Sequence, residues 1–334
     1  MFRRARSFIA SSGLALLVAV ITFATFAFGQ DNADEPASVD HAPKAGSLTR
    51  LREIISHLSE RIGERNLSRP KKLNETVTYV QKMFESMGYS IDRQSFSVSG
   101  IECHNLIAEV VGSVSPKEIV LICAHYDSAR GTPGANDNGT GVAALIEIAE
   151  QLRGKQFTRT VRLVAFANEE PPYFQRDGLM GSWVYAKACR ARGDDLKIVM
   201  SLETLGYYTD EPQSQKYPPL LAVLYPSTGN FIGFVSNVES RQQLTDTVKI
   251  FRKHCKVDAQ IAALPGDLKG VGWSDHWSFW QEGYSGIMVT DTAPFRYPHY
   301  HEATDTIDKI EFVRYSQVVD GLAKTVTDLL NATE

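Results

Sequence analysis

The sequence predicts an α/β fold in which helices flank both faces of a mostly parallel central sheet. From residue 105 onward, short apolar runs rich in β-branched residues alternate with longer stretches of helical periodicity. The runs are apolar throughout, which is typical of strands that are buried on both faces. The chain has 334 residues, 43% of them hydrophobic and 22% charged. This length and composition favour one large globular domain.

The first 29 residues predict a signal peptide or a membrane anchor. Arg3, Arg4 and Arg6 precede an uncharged stretch over residues 8–29, and acidic residues follow it. This order is typical of an export signal. The stretch is also long enough to span a bilayer, so cleavage of a signal and retention of an anchor both stay open. In either case we expect the rest of the chain outside the cytoplasm, periplasmic or secreted.

Residues 30–46 are rich in Asp, Ala and Pro and predict a flexible tether. Residues 47–334 then predict a single domain. Its helices are expected near residues 48–64, 74–87, 140–153, 180–192, 240–254, 275–282 and 310–330. Its strands are expected at residues 105–111, 118–124, 160–167, 198–202, 220–224 and 285–290.

Charge and cysteine content exclude several functions. The net charge is −4 and no basic block of five residues occurs, so nucleic acid is not expected as a partner. The cysteines are Cys103, Cys123, Cys189 and Cys255. An even number permits disulfides in an exported chain. Because the sequence contains no CxxC pair, a thiolate metal site is not expected.

Acids and histidines follow several of the predicted strands. In open parallel sheets, ligands bind beyond the carboxyl ends of the strands. The residues that we expect at this edge are His125, Asp127, Asp137, Glu169, Glu170, Glu203, Asp291 and His301. Carboxylates so close together repel one another unless a cation holds them. Oxygen and imidazole ligands without thiolates suit Zn²⁺, with Mn²⁺ or Co²⁺ as substitutes.

Six segments, in this order along the chain, resemble metallopeptidase family 28. That family contains dizinc aminopeptidases, glutamate carboxypeptidase-like enzymes and glutaminyl cyclases. The segments are His125-Tyr126-Asp127-Ser128, Gly134-Ala135-Asn136-Asp137-Asn138-Gly139-Thr140-Gly141, Asn168-Glu169-Glu170, Gly178-Leu179-Met180-Gly181-Ser182, Ser201-Leu202-Glu203 and Tyr300-His301. The resemblance implies a zinc aminopeptidase-like fold with a single catalytic domain.

The resemblance also assigns a role to each matching position. Two Zn²⁺ ions per chain are implied: His125 and Glu203 would bind one, and Glu170 and His301 the other. Asp137 would bridge them. Glu169 would act as general base on a hydroxide that the two ions share.

Three further residues are expected to support the site. Asp127 lies two residues after His125, on the same face of an extended chain, where a carboxylate can orient the imidazole. By resemblance, Asp275 supports the site without binding metal. Tyr300 either donates a hydrogen bond to the oxyanion, as in the carboxypeptidase branch, or is structural.

The chain departs from the family pattern at two places. The fifth ligand is often Asp, and here it is Glu203. Residues 171–177 form an insertion directly after a metal ligand, and we expect it to line the substrate cleft, with Tyr173 and Phe174 shaping a side-chain pocket. The alternative is a loop folded against the surface.

The function that these residues favour is an exported zinc aminopeptidase acting on peptides. A glutaminyl cyclase is the nearest alternative, although His125 and the pair of Glu169 and Glu170 disfavour it. A carboxypeptidase would need cations for the substrate carboxylate, for which Arg130, Arg176 and Arg296 are candidates. A non-catalytic interaction module on the same fold is a third alternative. The sequence leaves the oligomeric state open.

Overall fold

The computed structural model describes residues 45–218 and 221–332. Within them lies an eight-stranded sheet with the spatial order β1-β2-β4-β3-β5-β8-β6-β7. The strands are β1 Ile91–Val98, β2 Ile101–Val110, β3 Ser115–His125, β4 Arg159–Phe166, β5 Asp195–Glu203, β6 Ile232–Ser236, β7 Ala259–Ala263 and β8 Gly286–Thr290. The adjacent strands β4, β3, β5 and β8 are parallel, so their carboxyl ends share one edge of the sheet.

Helices cover both faces of this sheet, as predicted. They are α1 Ala45–Ser56, α2 Pro70–Ser86, α3 Gly141–Leu152, α4 Gly181–Arg192, α5 Arg241–His254, α6 His276–Gln281, α7 Ala293–Arg296 and α8 Phe312–Asn331. The first, second, third, fifth and eighth helices contribute to one hydrophobic core, and α4 and α6 to a smaller core. The fold class is therefore confirmed as a single mixed α/β domain.

Strand β3 shows why the buried strands are continuous apolar runs. Val120, Ile122 and Ala124 belong to the larger core, whereas Leu121 and Cys123 belong to the smaller one. Successive side chains of a strand point to opposite faces, so a strand covered on both sides needs apolar residues at every position.

The predicted strand at residues 220–224 is wrong. Among the residues described there, Leu221–Val223 form a short 3₁₀ turn, and Val223 is 84% exposed. Pro218 and Pro226 flank the turn, and proline removes the backbone donor that a sheet ladder requires. Strands β1, β6 and β7 were not predicted, because they are short or carry polar side chains.

The predicted leader at residues 1–29 lies outside the described residues, as does the tether except for its last two residues, which are helical in α1. Across the described ranges, no helix combines the length and apolar character needed to cross a membrane. All four cysteines are buried and unpaired.

Candidate metal centre

The carboxyl edge of the sheet brings the predicted ligands together. His125 is the last residue of β3, and Glu203 is the last residue of the neighbouring β5. Glu170 follows the end of β4, on the other side of β3. Asp137 comes from the turn Ala135–Thr140, and His301 comes from the loop before α8. Five segments distant in sequence therefore meet at one edge.

The five side chains form two groups that share Asp137. In the first group, Nε2 of His125 lies 3.1 Å from Oε2 of Glu203 and 3.5 Å from Oδ1 of Asp137. In the second group, Nε2 of His301 lies 3.1 Å from Oδ2 of Asp137 and 3.2 Å from Oε2 of Glu170. The two oxygens of Asp137 thus face different histidines, as a bridging carboxylate requires.

These separations fit zinc. Ligand atoms about 2.1 Å from one tetrahedral zinc ion lie about 3.4 Å from each other, close to the distances within each group. Both oxygens of Asp137 and Oε1 of Glu170 are buried and accept no hydrogen bond. Buried carboxylate oxygens without partners are costly, and a cation satisfies them. The nitrogen and oxygen donors, without a thiolate, are the set that zinc accepts.

The electrostatics of the site also call for positive charge. Burial alone would lower the pKa of His125, but the carboxylates of Glu203 and Glu169 raise it well above its usual value. Burial and the neighbouring Asp137 raise the pKa of Glu170 to about 7. The carboxylates thus draw protons onto the cluster when no cation is bound, and a metal ion competes for the same atoms.

Glu169 lies next to the predicted metal ligands but belongs to neither group. Its Oε2 is 3.8 Å from Nε2 of His125, and burial raises its pKa well above the usual value. Asn168, directly before it, has φ of +59°, an unfavourable backbone conformation of the kind that concentrates at functional sites. Glu169 therefore lies beside His125 of the first group without being part of either group.

Asp127 holds more of the site than the sequence predicts. Its Oδ1 lies 3.5 Å from Nδ1 of His125, the position expected for a carboxylate that orients the imidazole. Its two oxygens also accept the backbone N–H groups of Glu169 and Glu170, at 3.2 and 3.1 Å. One carboxylate therefore ties the end of β3 to the loop after β4.

Asp305 anchors the bridging ligand and was missed as a site residue. Its carboxylate accepts the backbone N–H groups of Asn136 and Asp137, at 2.8 and 3.1 Å, and the hydroxyl of Tyr297 at 2.8 Å. Asn136 in turn donates to Asp291, 2.9 Å away. The sequence signal that could have found Asp305 is its place four residues after the predicted ligand His301.

Ser274 contacts a ligand, whereas its neighbour Asp275 does not. The hydroxyl of Ser274 donates to Oε2 of Glu203 at 2.8 Å and pairs with Ser201 at 2.9 Å. Asp275 is fully buried and makes no hydrogen bond to a predicted ligand; burial raises its pKa to about 7. Asp275 interacts with His125 and Glu203 through charge alone. Its predicted supporting role therefore stays a prediction.

Tyr300 stacks on the ring of His301, with centroids 3.9 Å apart. Burial and the nearby Asp137 carboxylate raise the pKa of its hydroxyl well above the usual value, so the hydroxyl keeps its proton. His299, the other histidine of this loop, bonds to Thr304 and belongs to neither ligand group.

A mostly apolar cavity adjoins the site, and Glu203 and Tyr300 form part of its lining. Its space, counted together with the open solvent at its mouth, is about 790 Å³. Val235 on β6 is the register partner of Ala262 on β7 and of Met288 on β8, and all three line the cavity. The adjacent Phe234 and Ile261 also contribute to the lining, but their side chains, like that of Val289, belong to the large core or pack against it. The cavity thus lies on the face of these strands opposite to the core. The remaining lining includes Tyr217, Leu221, Tyr225, Phe231, Trp273 and Phe295.

The insertion at residues 171–177 does not line this cavity, contrary to expectation. Tyr173 packs against the large core instead, and Gln175 donates to the carbonyl of Gly272 at 3.1 Å. Asp177 pairs with Lys187 on α4. These contacts attach the loop to its surroundings.

The three arginines considered for a substrate carboxylate also lie apart from the cavity lining. Arg130 and Arg176 are exposed. Arg296 is buried and donates to Gln215 and to the carbonyls of Tyr207 and Phe231. Its Nε and Nη1 donors are thus used within the fold, whereas its buried Nη2 has no hydrogen-bond partner there.

Comparison with known proteins agrees with this geometry. Residues 105–326 match Peptidase family M28. The chain is 33% identical over 289 residues to the uncharacterized protein YfbL of Escherichia coli (strain K12), covering 84% of this chain and 88% of that protein. It is 23% identical to leucine aminopeptidase 1 of Arthroderma otae, covering 91% of this chain and 82% of that protein. The aminopeptidase from Aneurinibacillus sp. strain AM-1 has the same fold, with a TM-score of 0.68, 16% identity, and coverage of 88% of this chain and 96% of that one. The chain therefore belongs to Peptidase family M28.

Proposed function

We propose that the protein is an exported zinc-dependent aminopeptidase that hydrolyses N-terminal residues from peptides and uses two Zn²⁺ ions per chain. The observation that carries this proposal is the pair of ligand groups sharing Asp137, with Glu169 beside them and in neither group. One ion would be held by His125, Asp137 and Glu203, and the other by Asp137, Glu170 and His301. When bound, zinc lowers the pKa of a coordinated water toward about 7 and polarises a carbonyl oxygen.

Glu169 supplies the proton transfers. Its carboxylate accepts a proton from the attacking water and then delivers that proton to the amine that leaves. Burial raises its pKa, which helps it to hold the proton between the two transfers. Asp127 accepts the backbone N–H of Glu169 and so holds this residue in place before the reaction begins. No conformational entropy is then lost in positioning the Glu169 carboxylate during the proton transfer.

Tyr300 is proposed to stabilise the charge that develops on the substrate. Its ring is held against His301, and its hydroxyl stays protonated because burial and nearby carboxylates raise its pKa. A protonated hydroxyl beside the ligands can donate a hydrogen bond to the carbonyl oxygen as that oxygen becomes negative.

The cavity favours an apolar side chain on the N-terminal residue of the substrate. Aromatic and aliphatic residues dominate its wall, and Glu203 and Tyr300 connect it to the ligand groups. Burying a leucine or phenylalanine side chain there contributes about 1.5–3 kcal/mol to binding.

Replacement of Glu169 by Gln tests this mechanism. Because only the proton acceptor changes, we expect zinc binding to persist while kcat for a leucyl anilide falls about 10²- to 10⁴-fold. Glu302→Gln, an exposed change in the loop after His301, is the matched control and should leave kcat unchanged. Undiminished hydrolysis by the Glu169 variant, with zinc bound, would rule out this role.

The same preparation separates the alternative activities. Ring closure of an N-terminal glutamine without anilide hydrolysis would indicate a cyclase, and release of C-terminal residues would indicate a carboxypeptidase. Cell fractionation, together with N-terminal sequencing of the recovered protein, tests the proposed export and distinguishes cleavage from anchoring.

A further inference from the structure

Arg65 is the largest fully buried side chain in the described part of the molecule. Its Nε donates to the carbonyl of Tyr126 at 2.8 Å, and its two terminal nitrogens donate to the carbonyls of Pro133 and Gly134 at 2.6 and 2.7 Å. These acceptors are neutral backbone groups, so the guanidinium is buried without a hydrogen-bonded carboxylate among them. Burying a charge is costly to the fold unless hydrogen bonds and nearby opposite charges compensate for its lost hydration.

The three carbonyls belong to the two ends of one loop. Tyr126 directly follows the predicted ligand His125, and Gly134 lies three residues before the predicted bridging ligand Asp137. The main chain of Arg65 also pairs with Ser128 inside this loop: Ser128 N donates to the Arg65 carbonyl at 3.0 Å, and Arg65 N donates to Ser128 Oγ at 3.2 Å. Arg65 therefore spans the loop that connects two ligands.

The packing around Gly134 leaves the loop backbone little room to move. Gly134 has φ of +62°, and a Cβ there would lie 2.5 Å from the carbonyl oxygen of Asp137 and 3.1 Å from Nη1 of Arg65. The planar guanidinium fits three carbonyls at once, which the single ammonium of lysine cannot reproduce. The charges that influence Arg65 most are the carboxylates of Asp305, Asp127, Asp137 and Glu170, all from the site or its supports.

We propose that Arg65 is a positioning residue of the metal centre: it clamps the 126–134 loop so that His125 and Asp137 lie at the distance that zinc requires. It touches neither substrate nor metal and acts through the backbone of the two ligands. The inference rests on the proposed zinc function.

Chelator competition for zinc tests the proposal, with Arg65→Lys, Arg65→Met and the control Arg159→Met. Arg159 is a partly buried arginine at the start of β4, at the opposite edge of the sheet, where it binds Glu118 and the carbonyl of Leu329. We expect both Arg65 variants to bind zinc about 10- to 100-fold more weakly than the unchanged protein, the usual effect of removing a partner that orients ligands. Zinc affinity of the control should stay within about threefold, even if its thermal stability falls.

A positioning role also predicts that excess zinc restores much of the activity of Arg65→Lys, with KM unchanged. If neither Arg65 variant folds, Ser128→Ala tests the same clamp, since it removes the hydroxyl that accepts from Arg65 N. Folded variants that bind zinc as tightly as the unchanged protein would overturn the positioning role of Arg65 but leave the proposed function intact. Failure of the unchanged protein to bind zinc would instead overturn the proposed function.

Discussion

Asp127→Asn replaces one carboxylate oxygen by an NH₂ group. It tests how the end of β3, which carries His125, is joined to the loop that carries Glu169 and Glu170. The carboxylate of Asp127 accepts two backbone N–H groups, from Glu169 and Glu170, and faces Nδ1 of His125. The asparagine side chain can accept only one of the two donors, and its NH₂ group faces the other. The change keeps the shape of the side chain, so its effect reports on hydrogen bonding and charge.

The size of the effect follows from these contacts. A hydrogen bond to a charged acceptor contributes roughly 1.5–3 kcal/mol, so losing one and weakening the second should cost about 2–4 kcal/mol. Part of this loss should appear in stability. The displacement of His125 and Glu169 should lower zinc affinity and kcat by about 10- to 100-fold each.

Urea unfolding in the presence of a chelator measures the stability of Asp127→Asn, and chelator competition with anilide hydrolysis measures the site. Asp246→Asn, an exposed change on α5, is the control and should behave like the unchanged protein. The reasoning is refuted if Asp127→Asn matches the unchanged protein in unfolding free energy, zinc affinity and kcat.

Three further predictions concern the cavity, the metal and a buried histidine. Ala262→Phe places a larger side chain in the cavity, so kcat/KM should fall at least tenfold for a leucyl anilide and much less for an alanyl anilide. Equal losses for the two substrates would contradict the proposal that the cavity binds the side chain of the N-terminal residue. Protons compete with metal, because neighbouring carboxylates raise the pKa of His125, and burial together with Asp137 raises the pKa of Glu170 to about 7. Zinc affinity should therefore fall as the pH drops from 8 to 6, and zinc binding at constant pH should release protons in calorimetry. Burial lowers the pKa of His276 from 6.5 to about 4, so neutral His276 stabilises the fold fully above pH 6.5, and this stabilisation is lost as the pH falls toward 4. Between pH 7 and pH 4.5, urea unfolding should show that the free energy of unfolding of His276→Gln falls by roughly 2–3 kcal/mol less than that of the unchanged protein. Equal falls would contradict this prediction.

Sequence patterns predicted the centre of the fold because physical constraints are strongest there. Strands such as β3 need apolar residues on both faces, and their carboxyl ends must share an edge. The polar residues at or just after the carboxyl ends of β3, β4 and β5, namely His125, Glu170 and Glu203, are therefore predicted together from the sequence.

The remaining features depend on tertiary contacts that leave no local pattern. Arg65 follows a helix in a polar stretch, and nothing in its neighbourhood indicates that it is fully buried. Ser274 contacts Glu203 across the end of the sheet, 71 residues apart in the chain. The uncharged stretch around Leu221 and Tyr225 resembles a strand in composition, yet both residues line the cavity, and a composition signal cannot separate these two uses of apolar residues.

The central claim is that two zinc ions held by five side chains hydrolyse peptides from the amino terminus. The most direct test measures the zinc content of the purified protein together with hydrolysis of a leucyl anilide, before and after chelation. We predict close to two zinc ions per chain, hydrolysis that disappears on chelation, and its return when zinc is restored. Hydrolysis that persists in fully chelated protein, or a protein that binds no zinc, would contradict the claim.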